Sequence, residues 1–374
     1  MKLNNLFLFT ILIGLFIGCS QKPQSDVDTP EYHFRAGMRA VELGEYSNAI
    51  PSFERAVALD RKFAPGFAGL GLAYAHLGQT KNAKKFIGKA ESKGGKDPDV
   101  LALCARGWIA MRHDEKKWFK RAENLLKKAL KRDENHEASL YHYGVAHLFH
   151  YDFTDAESYF RKVVEKRGDF AGKADDKWKQ VQKIVRAMPG TAIGKKVALH
   201  EKITKADLAV IFMEELKLGE LFAKMPQTSS PGFYTPSQAE KIESVASPPD
   251  TKDHWAESWV RDMLRYGIMD ANPNSNFYPD ATITRAEYAM AVQRLLVAAT
   301  RDQSLEIRYF GESPARFSDV PSSHPAYNAM ALCTERGIMQ ANVMTGAFNP
   351  MGSVSGPDAL LIIRTLQSSL RMTF

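Results

Sequence analysis

A spacing of 34 residues organises the first half of the chain. Gly37 recurs as Gly71, Ala49 as Ala83, Phe53 as Ile87 and Ala56 as Ala90, each 34 positions on. Further along, Ala122 recurs as Ala156, Leu126 as Phe160 and Ala129 as Val163 at the same interval. From Ala83 to Ala122 the step is 39, one period plus five, and the extra residues fit the stretch 92–98 or the turn 113–117. A repeat this short cannot bury its apolar face alone, so neighbouring copies must stack on one another. Each copy reads as two amphipathic helices, with small residues where the pair cross closely and large ones filling the space between neighbours. Phe67, Leu70 and Tyr74 share one helical face, and Ala83, Ile87 and Ala90 share a face of the next helix. Gly44, Gly78 and Asp152 fall in the turns.

This pattern of small and aromatic positions resembles the tetratricopeptide repeat over residues 31–168, in four units. The resemblance implies a helical-hairpin solenoid, a right-handed superhelix whose concave groove binds a peptide or helix of another protein. It implies no chemistry. Gly66, Gly69 and Gly71 superficially suggest a phosphate-cradling loop, but no strand precedes them, and Gly71 sits at the helix-crossing position of the repeat. His142, His147 and His150 cluster on or near one helix and read as surface or groove side chains, not as a metal site. No cofactor or metal ligand set is read anywhere in the chain.

The second half repeats a different block order. Asp253-His254-Trp255-Ala256 opens a helix to Tyr266, followed by Gly267-Ile268-Met269, Phe277-Tyr278-Pro279 and Ile283-Thr284-Arg285-Ala286-Glu287. In the last block Thr284 and Glu287 have the spacing of a reciprocal capping box at a helix start. Another copy reads Phe317-Ser318-Asp319-Val320-Pro321, His324-Pro325-Ala326-Tyr327, Gly337-Ile338-Met339, Phe348-Asn349-Pro350 and Val354-Ser355-Gly356-Pro357-Asp358. The faintest copy comes first: Asp176-Lys177-Trp178 matches Asp253-His254-Trp255, and Ile203-Thr204-Lys205-Ala206-Asp207 matches the capping-box block. Trp178 to Gly190, Trp255 to Gly267 and Pro325 to Gly337 are all 12 apart.

These blocks resemble the S-layer homology module, in three divergent copies at 169–216, 245–297 and 317–370, with an insertion at 217–244. The resemblance implies a pseudo-threefold helical domain with a groove between each pair of modules, where cell-wall polysaccharide, often an anionic pyruvylated polymer, is bound. The basic residue of the capping-box block would contact the ligand, as the planar fork of an arginine suits a carboxylate. Carried over by position, the glycan-binding candidates are Arg285 first and Lys205 second, with Trp255, Asp253, Trp178 and Asp319 as lining groups. Gly356 replaces the cation in the last copy and Pro325 its aromatic.

The N-terminus sets the expected compartment. Lys2 precedes an apolar run from Leu6 to Ile17, too short to span a bilayer but suited to a signal peptide. It ends Phe16-Ile17-Gly18-Cys19, which resembles a bacterial lipobox, so residues 1–18 are expected as a signal, Cys19 as the lipidated residue, and 19–30 as a tether. Cys104 and Cys333, in apolar helix-like stretches, are expected as buried thiols. Between Lys81 and Arg132 there are 16 Lys and Arg against 6 Asp and Glu, within a net charge of +7. Solvated helix faces account for such an excess; so does attraction to anionic lipid, acidic wall polymers or an acidic protein. Export argues against nucleic acid. The expected protein is all-α and non-catalytic: a membrane-anchored lipoprotein of the cell envelope, on the outer membrane where the envelope has two, with a protein partner in the repeat groove and wall polysaccharide or peptidoglycan on the modules. The alternative is a lipoprotein adaptor of an envelope assembly or secretion machine, with the modules as a protein-binding scaffold.

Overall fold

The computed structural model describes residues 22–224 and 246–369. The chain forms two compact units, residues up to 150 with 158–174, and residues 151–157 with 175 onward. Both are helical, and the described residues hold only isolated β-bridges. None of their helices is long and apolar enough to cross a membrane. The expected signal peptide, Cys19 and most of the insertion lie outside the described residues.

The first unit is built of helix pairs: α1 (Pro30–Glu42) with α2 (Tyr46–Leu59), α3 (Ala64–His76) with α4 (Thr80–Gly94), α5 (Pro98–Ala110) with α6 (Trp118–Arg132), and α7 (Glu137–Phe149) with α8 (Phe153–Lys166). The 34-residue period appears as a small-to-large match within pairs. A Cβ on Gly37 would lie 2.6 Å from the Phe53 ring, one on Gly71 2.7 Å from Ile87, and one on Gly144 2.8 Å from Phe160. Phe53, Ile87 and Phe160 are at most 1% exposed, so each glycine admits a large side chain from its partner helix. Gly66, Gly69 and Gly71 are buried inside α3, which removes any phosphate-loop reading. Gly44 and Gly78 end the first helices of two pairs at φ +79° and +70°, a conformation that costs other residues a steric penalty.

Residues 22–29, read from sequence as tether, are held against the first pair. Asp28, 8% exposed, accepts hydrogen bonds from Arg55 of α2 (Nε, 3.1 Å) and from the Gln24 N–H (2.7 Å), and pairs with His33 at 2.6 Å. Arg55 also donates to the Lys22 carbonyl (3.3 Å), and Thr29 caps α1 by accepting from the Tyr32 N–H. The polar composition of the stretch reflects these local bonds.

In the second unit, α9 (Ala171–Ala187), α10 (Ala192–Val197) and α11 (Lys205–Glu215) form a first segment, and α12 (Leu218–Lys224) begins the insertion. A second segment holds a 3-10 turn, Pro249–Thr251, then α13 (Glu257–Arg265) and α14 (Arg285–Thr300). A third holds α15 (Tyr327–Glu335) and α16 (Gly356–Ser369). Residues 305–310 lie in a 3-10 turn, Gln303–Glu306, and the turns after it. Capping boxes start α11 (Thr204 with Asp207) and α14 (Thr284 with Glu287), and Ser355 with Asp358 repeats the exchange at α16.

These three helix starts meet. Ile203 donates its N–H to the Val354 carbonyl (2.9 Å) and its own carbonyl accepts from Ile283 (3.1 Å). The same junction then recurs around the ring. Lys205 and Ala206 N–H donate to Ala281 and Pro279 of the second segment. Arg285 and Ala286 N–H donate to Gly352 and Pro350 of the third, and Gly356 N–H donates to His200 of the first (2.9 Å). Backbone groups that a helix start leaves unpaired are thus satisfied by the next segment.

The first segment departs from the other two before this junction. Gly267 and Gly337 both end a helix at φ +66°, whereas α9 runs on to residue 187 and Met188 takes the positive φ (+46°). No breaker interrupts the chain at Asp176-Lys177-Trp178, so Trp178 lies inside α9, not ahead of a helix.

Candidate functional site

Three equivalent positions, Lys205, Arg285 and Gly356, open helices at the three junctions, and their surroundings differ. Lys205 lines a cleft of about 240 Å³ between the first and second segments. Its Nζ lies 3.4 Å from Oε1 of Glu287, whose Oε2 is occupied by the Thr284 cap. Across the cleft Arg294 pairs with Asp270 at 2.5 Å, and Asn272, Met269 and Met290 complete the wall. Two cations and two carboxylates balance there, beside amide and thioether surfaces. Such a surface can bind a polar, hydroxyl-rich group, and a carboxylate could share Lys205 with Glu287.

Arg285 is turned onto the third segment. Its Nε donates to the Phe348 carbonyl (2.9 Å) and its Nη2 to the Gln340 carbonyl (2.7 Å). The guanidinium lies 4.6 Å from the centre of the Phe348 ring. Burial pulls its pKa below the ordinary value, against Asp358 and Asp319, which favour the charged form. This side chain is bonded into the junction, where an orphaned carbonyl would be costly.

Gly356 faces the backbone of α10. A Cβ there would lie 1.8 Å from the Val197 carbonyl oxygen and 2.8 Å from its carbon. The sequence reads Gly356 as a lost charge; the tertiary reason is that no side chain fits. The cap acid Asp207 is met instead by His200 (Nδ1 to Oδ2, 3.0 Å). Burial opposes ionisation of Asp207, but His200 and the Thr204 cap win and hold its carboxyl low, while Asp207 raises the His200 imidazole.

The remaining candidates scatter. Asp319 accepts from the Phe348 and Asn349 N–H groups (2.8 and 2.7 Å). Its counterpart in the second segment is Asp250, which accepts from Phe277 (2.9 Å) and Tyr278 (2.6 Å), and not Asp253. Both carboxylates shape the loop ahead of the capping box. Asp253 is exposed at φ +62°, its N–H donating to Glu257. Trp255 is 50% exposed beside Trp259, whose indole donates to Glu214 of α11 at 2.8 Å. The Trp178 indole N–H is buried without a hydrogen-bond partner. Sequence reasoning missed Asp270, Asn272 and Arg294. The signal was faint: Glu287, Met290 and Arg294 stand at i, i+3 and i+7 on one face of α14.

The first unit carries a larger groove, about 840 Å³, lined by the first helices of its pairs. Phe34, Leu103, Tyr141 and Phe149 give it an apolar wall. Glu42 of α1 bridges it, accepting from Arg106 of α5 (2.7 Å) and from Lys173 (3.2 Å). Burial opposes the Glu42 charge, yet these two bonds hold its carboxyl below the usual range. His142 lines the same groove, and burial beside Arg106 pushes its imidazole down to about 3. His147 departs from the surface-or-groove expectation: it is 8% exposed and stacked with Tyr143 and Tyr159, one turn and one helix away. His150 stacks on Phe119 at 3.8 Å.

Known family models match part of each half. The tetratricopeptide repeat model matches residues 40–107, and the S-layer homology domain model matches 249–289 and 316–356. No curated protein matches. Among solved structures, a thermophilic TPR protein of Thermus thermophilus is similar at 15% identity and a TM-score of 0.37, covering 52% of this chain and 97% of that one. Tetratricopeptide repeats mediate protein–protein interaction, S-layer homology domains associate with the cell wall, and both are typically non-catalytic binding modules.

Proposed function

We propose that this chain is a non-catalytic, lipid-anchored protein of the cell envelope that joins a protein partner to wall polysaccharide or peptidoglycan. The anchor is Cys19, read from the lipobox-like sequence. The partner is a peptide or helix lying in the groove of the first unit, and the glycan lies against the second. The observation that supports this most is the cleft at Lys205, with charged, amide and apolar groups around a space that a sugar ring can enter. Among the carried-over candidates, Lys205 is therefore the ligand contact, and Arg285 holds the neighbouring junction together. A lipid and a glycan contact on one chain reinforce each other through effective concentration.

A second reading is favoured by one feature: Arg285 and the α10 backbone occupy two of the three equivalent positions. In that reading the modules are a scaffold for another protein, and the chain is an adaptor of an envelope assembly or secretion machine. Co-sedimentation with purified sacculi separates the two. Under the first reading the mature protein sediments, Lys205→Ala abolishes this with the circular dichroism spectrum unchanged, and free wall oligosaccharide competes. If the intact protein stays in the supernatant at low as well as moderate salt, the glycan reading is wrong and the adaptor stands.

A further inference from the structure

The second helices of the four pairs carry a charge pattern in register with the repeat. Arg55 of α2, Lys89 of α4, Lys128 of α6 and Lys162 of α8 stand at steps of 34, 39 and 34, the same steps that relate the repeats. One turn on, Lys93, Arg132 and Lys166 repeat the alignment. Lys89, Lys128 and Lys162 are all exposed, as are Lys93 and Arg132. Two of the acids on these helices and their turns are paired with lysines outside the row, and a third is desolvated. Glu123 pairs with Lys127, Glu115 with Lys84, and burial raises Glu91. Lys89, Lys93, Lys128, Arg132, Lys162 and Lys166 are thus displayed on adjacent second helices, whereas the first helices of the pairs line the groove, where Arg106 and Arg112 also lie. Beneath the lysines lie aromatic rings: Lys89 Nζ is 5.4 Å from the Phe86 centroid and Lys162 Nζ 5.2 Å from that of Tyr159.

The N-terminal segment leads onto this face. Arg55, the first member of the row, is the residue that holds Asp28 and the Lys22 carbonyl. Cys19 stands three residues ahead of Lys22, a step that can reach at most about 10 Å. That reach is about one helix-to-helix spacing.

We propose that the basic row Lys89–Lys128–Lys162 is a docking surface for anionic phospholipid headgroups. It rests on the acylation of Cys19 only for its role as the second of two membrane contacts. An acylated Cys19 would bring the protein to a bilayer, and a polybasic patch beside it adds a second, electrostatic contact. Each lysine near an anionic surface adds attraction that falls off within a Debye length, so the contact weakens with salt.

Flotation of the mature, full-length protein with vesicles tests this. One set is phosphatidylcholine alone; the other contains roughly one-third phosphatidylglycerol. The expected result is tighter binding to the anionic vesicles, lost on raising salt. Lys89→Gln, Lys128→Gln and Lys162→Gln together should weaken it roughly 100-fold, from about fivefold per lysine. Lys196→Gln, Lys202→Gln and Lys252→Gln, which remove equal charge from exposed positions in the second unit, should change it less than tenfold. Equal losses in the two triple variants, or binding by the first within about threefold of the parent, would overturn the proposal. So would a first variant that keeps its vesicle binding but loses binding to sacculi, which assigns the face to an acidic wall polymer. Retention on neutral vesicles reads the acyl chain by itself, so its failure would sink the lipoprotein reading while leaving the anionic comparison intact.

Discussion

Replacing Gly356 by alanine adds one methyl group at the junction between the third and first segments, where its carbon would lie 1.8 Å from the Val197 carbonyl oxygen. Ordinary contacts need over 3 Å, and the obstacle is backbone, which cannot rotate away as a side chain can. Relief requires α10 or the start of α16 to withdraw by roughly 1 Å, which strains the Gly356-to-His200 bond and the neighbouring Ile203-to-Val354 bond. Overpacking costs typically 1–3 kcal/mol, and each weakened hydrogen bond about 1 kcal/mol, so a loss of about 3 kcal/mol is expected. For a unit of this size one kcal/mol moves Tm by about 2–4 °C, which puts the second unit roughly 6–12 °C lower. Gly219→Ala is the control: it lies in α12 with nothing within 4 Å of its absent Cβ. It should be neutral or stabilising by up to about 1 kcal/mol. Calorimetric melts of the two variants beside the parent make the comparison. If Gly356→Ala melts within about 1 °C of the parent, the α10 backbone does not occupy that position and the sealed junction is wrong.

Three further outcomes follow from the same geometry. Arg285→Ala should destabilise the second unit by about 2–3 kcal/mol in urea unfolding, because the Phe348 and Gln340 carbonyls lose a charged donor; Lys205→Ala, whose partly buried pair with Glu287 spans 3.4 Å, should cost less, about 1 kcal/mol. His142 titrates low in the folded state, so the unfolded chain binds its proton first. The first unit should therefore lose stability as pH falls from about 6.5 toward 3, by at most about 1.4 kcal/mol per pH unit, and His142→Gln should flatten that slope between pH 7 and 5. Cys104 and Cys333 are buried, and desolvation pushes the Cys333 thiol up to about 12, so neither should react with a thiol reagent at neutral pH until the protein unfolds.

The repeat was legible because residue size encodes it. A glycine opposite a phenylalanine or isoleucine, recurring at one interval, admits few arrangements other than paired helices in close contact, and Gly37, Gly71 and Gly144 sit where that logic requires. The capping boxes at Thr204 and Thr284 were equally readable, since both partners lie within four residues. The fate of a long side chain is not local. Arg285 and Lys205 hold the same place in the same motif, yet one lies on the Phe348 ring and the other lines an open cleft. Their surroundings come from segments distant in sequence. Asp250, and not the carried-over candidate Asp253, corresponds to Asp319, because the carboxylate's partners, the Phe277 and Tyr278 N–H groups, are set by the path of a loop more than twenty residues away. By itself, then, the sequence determined the helix pairs, their stacking and the starts of the module helices, all governed by short-range periodicity and capping. Tertiary structure alone decided which of three equivalent positions lines a cleft, because that depends on which backbone arrives opposite each one.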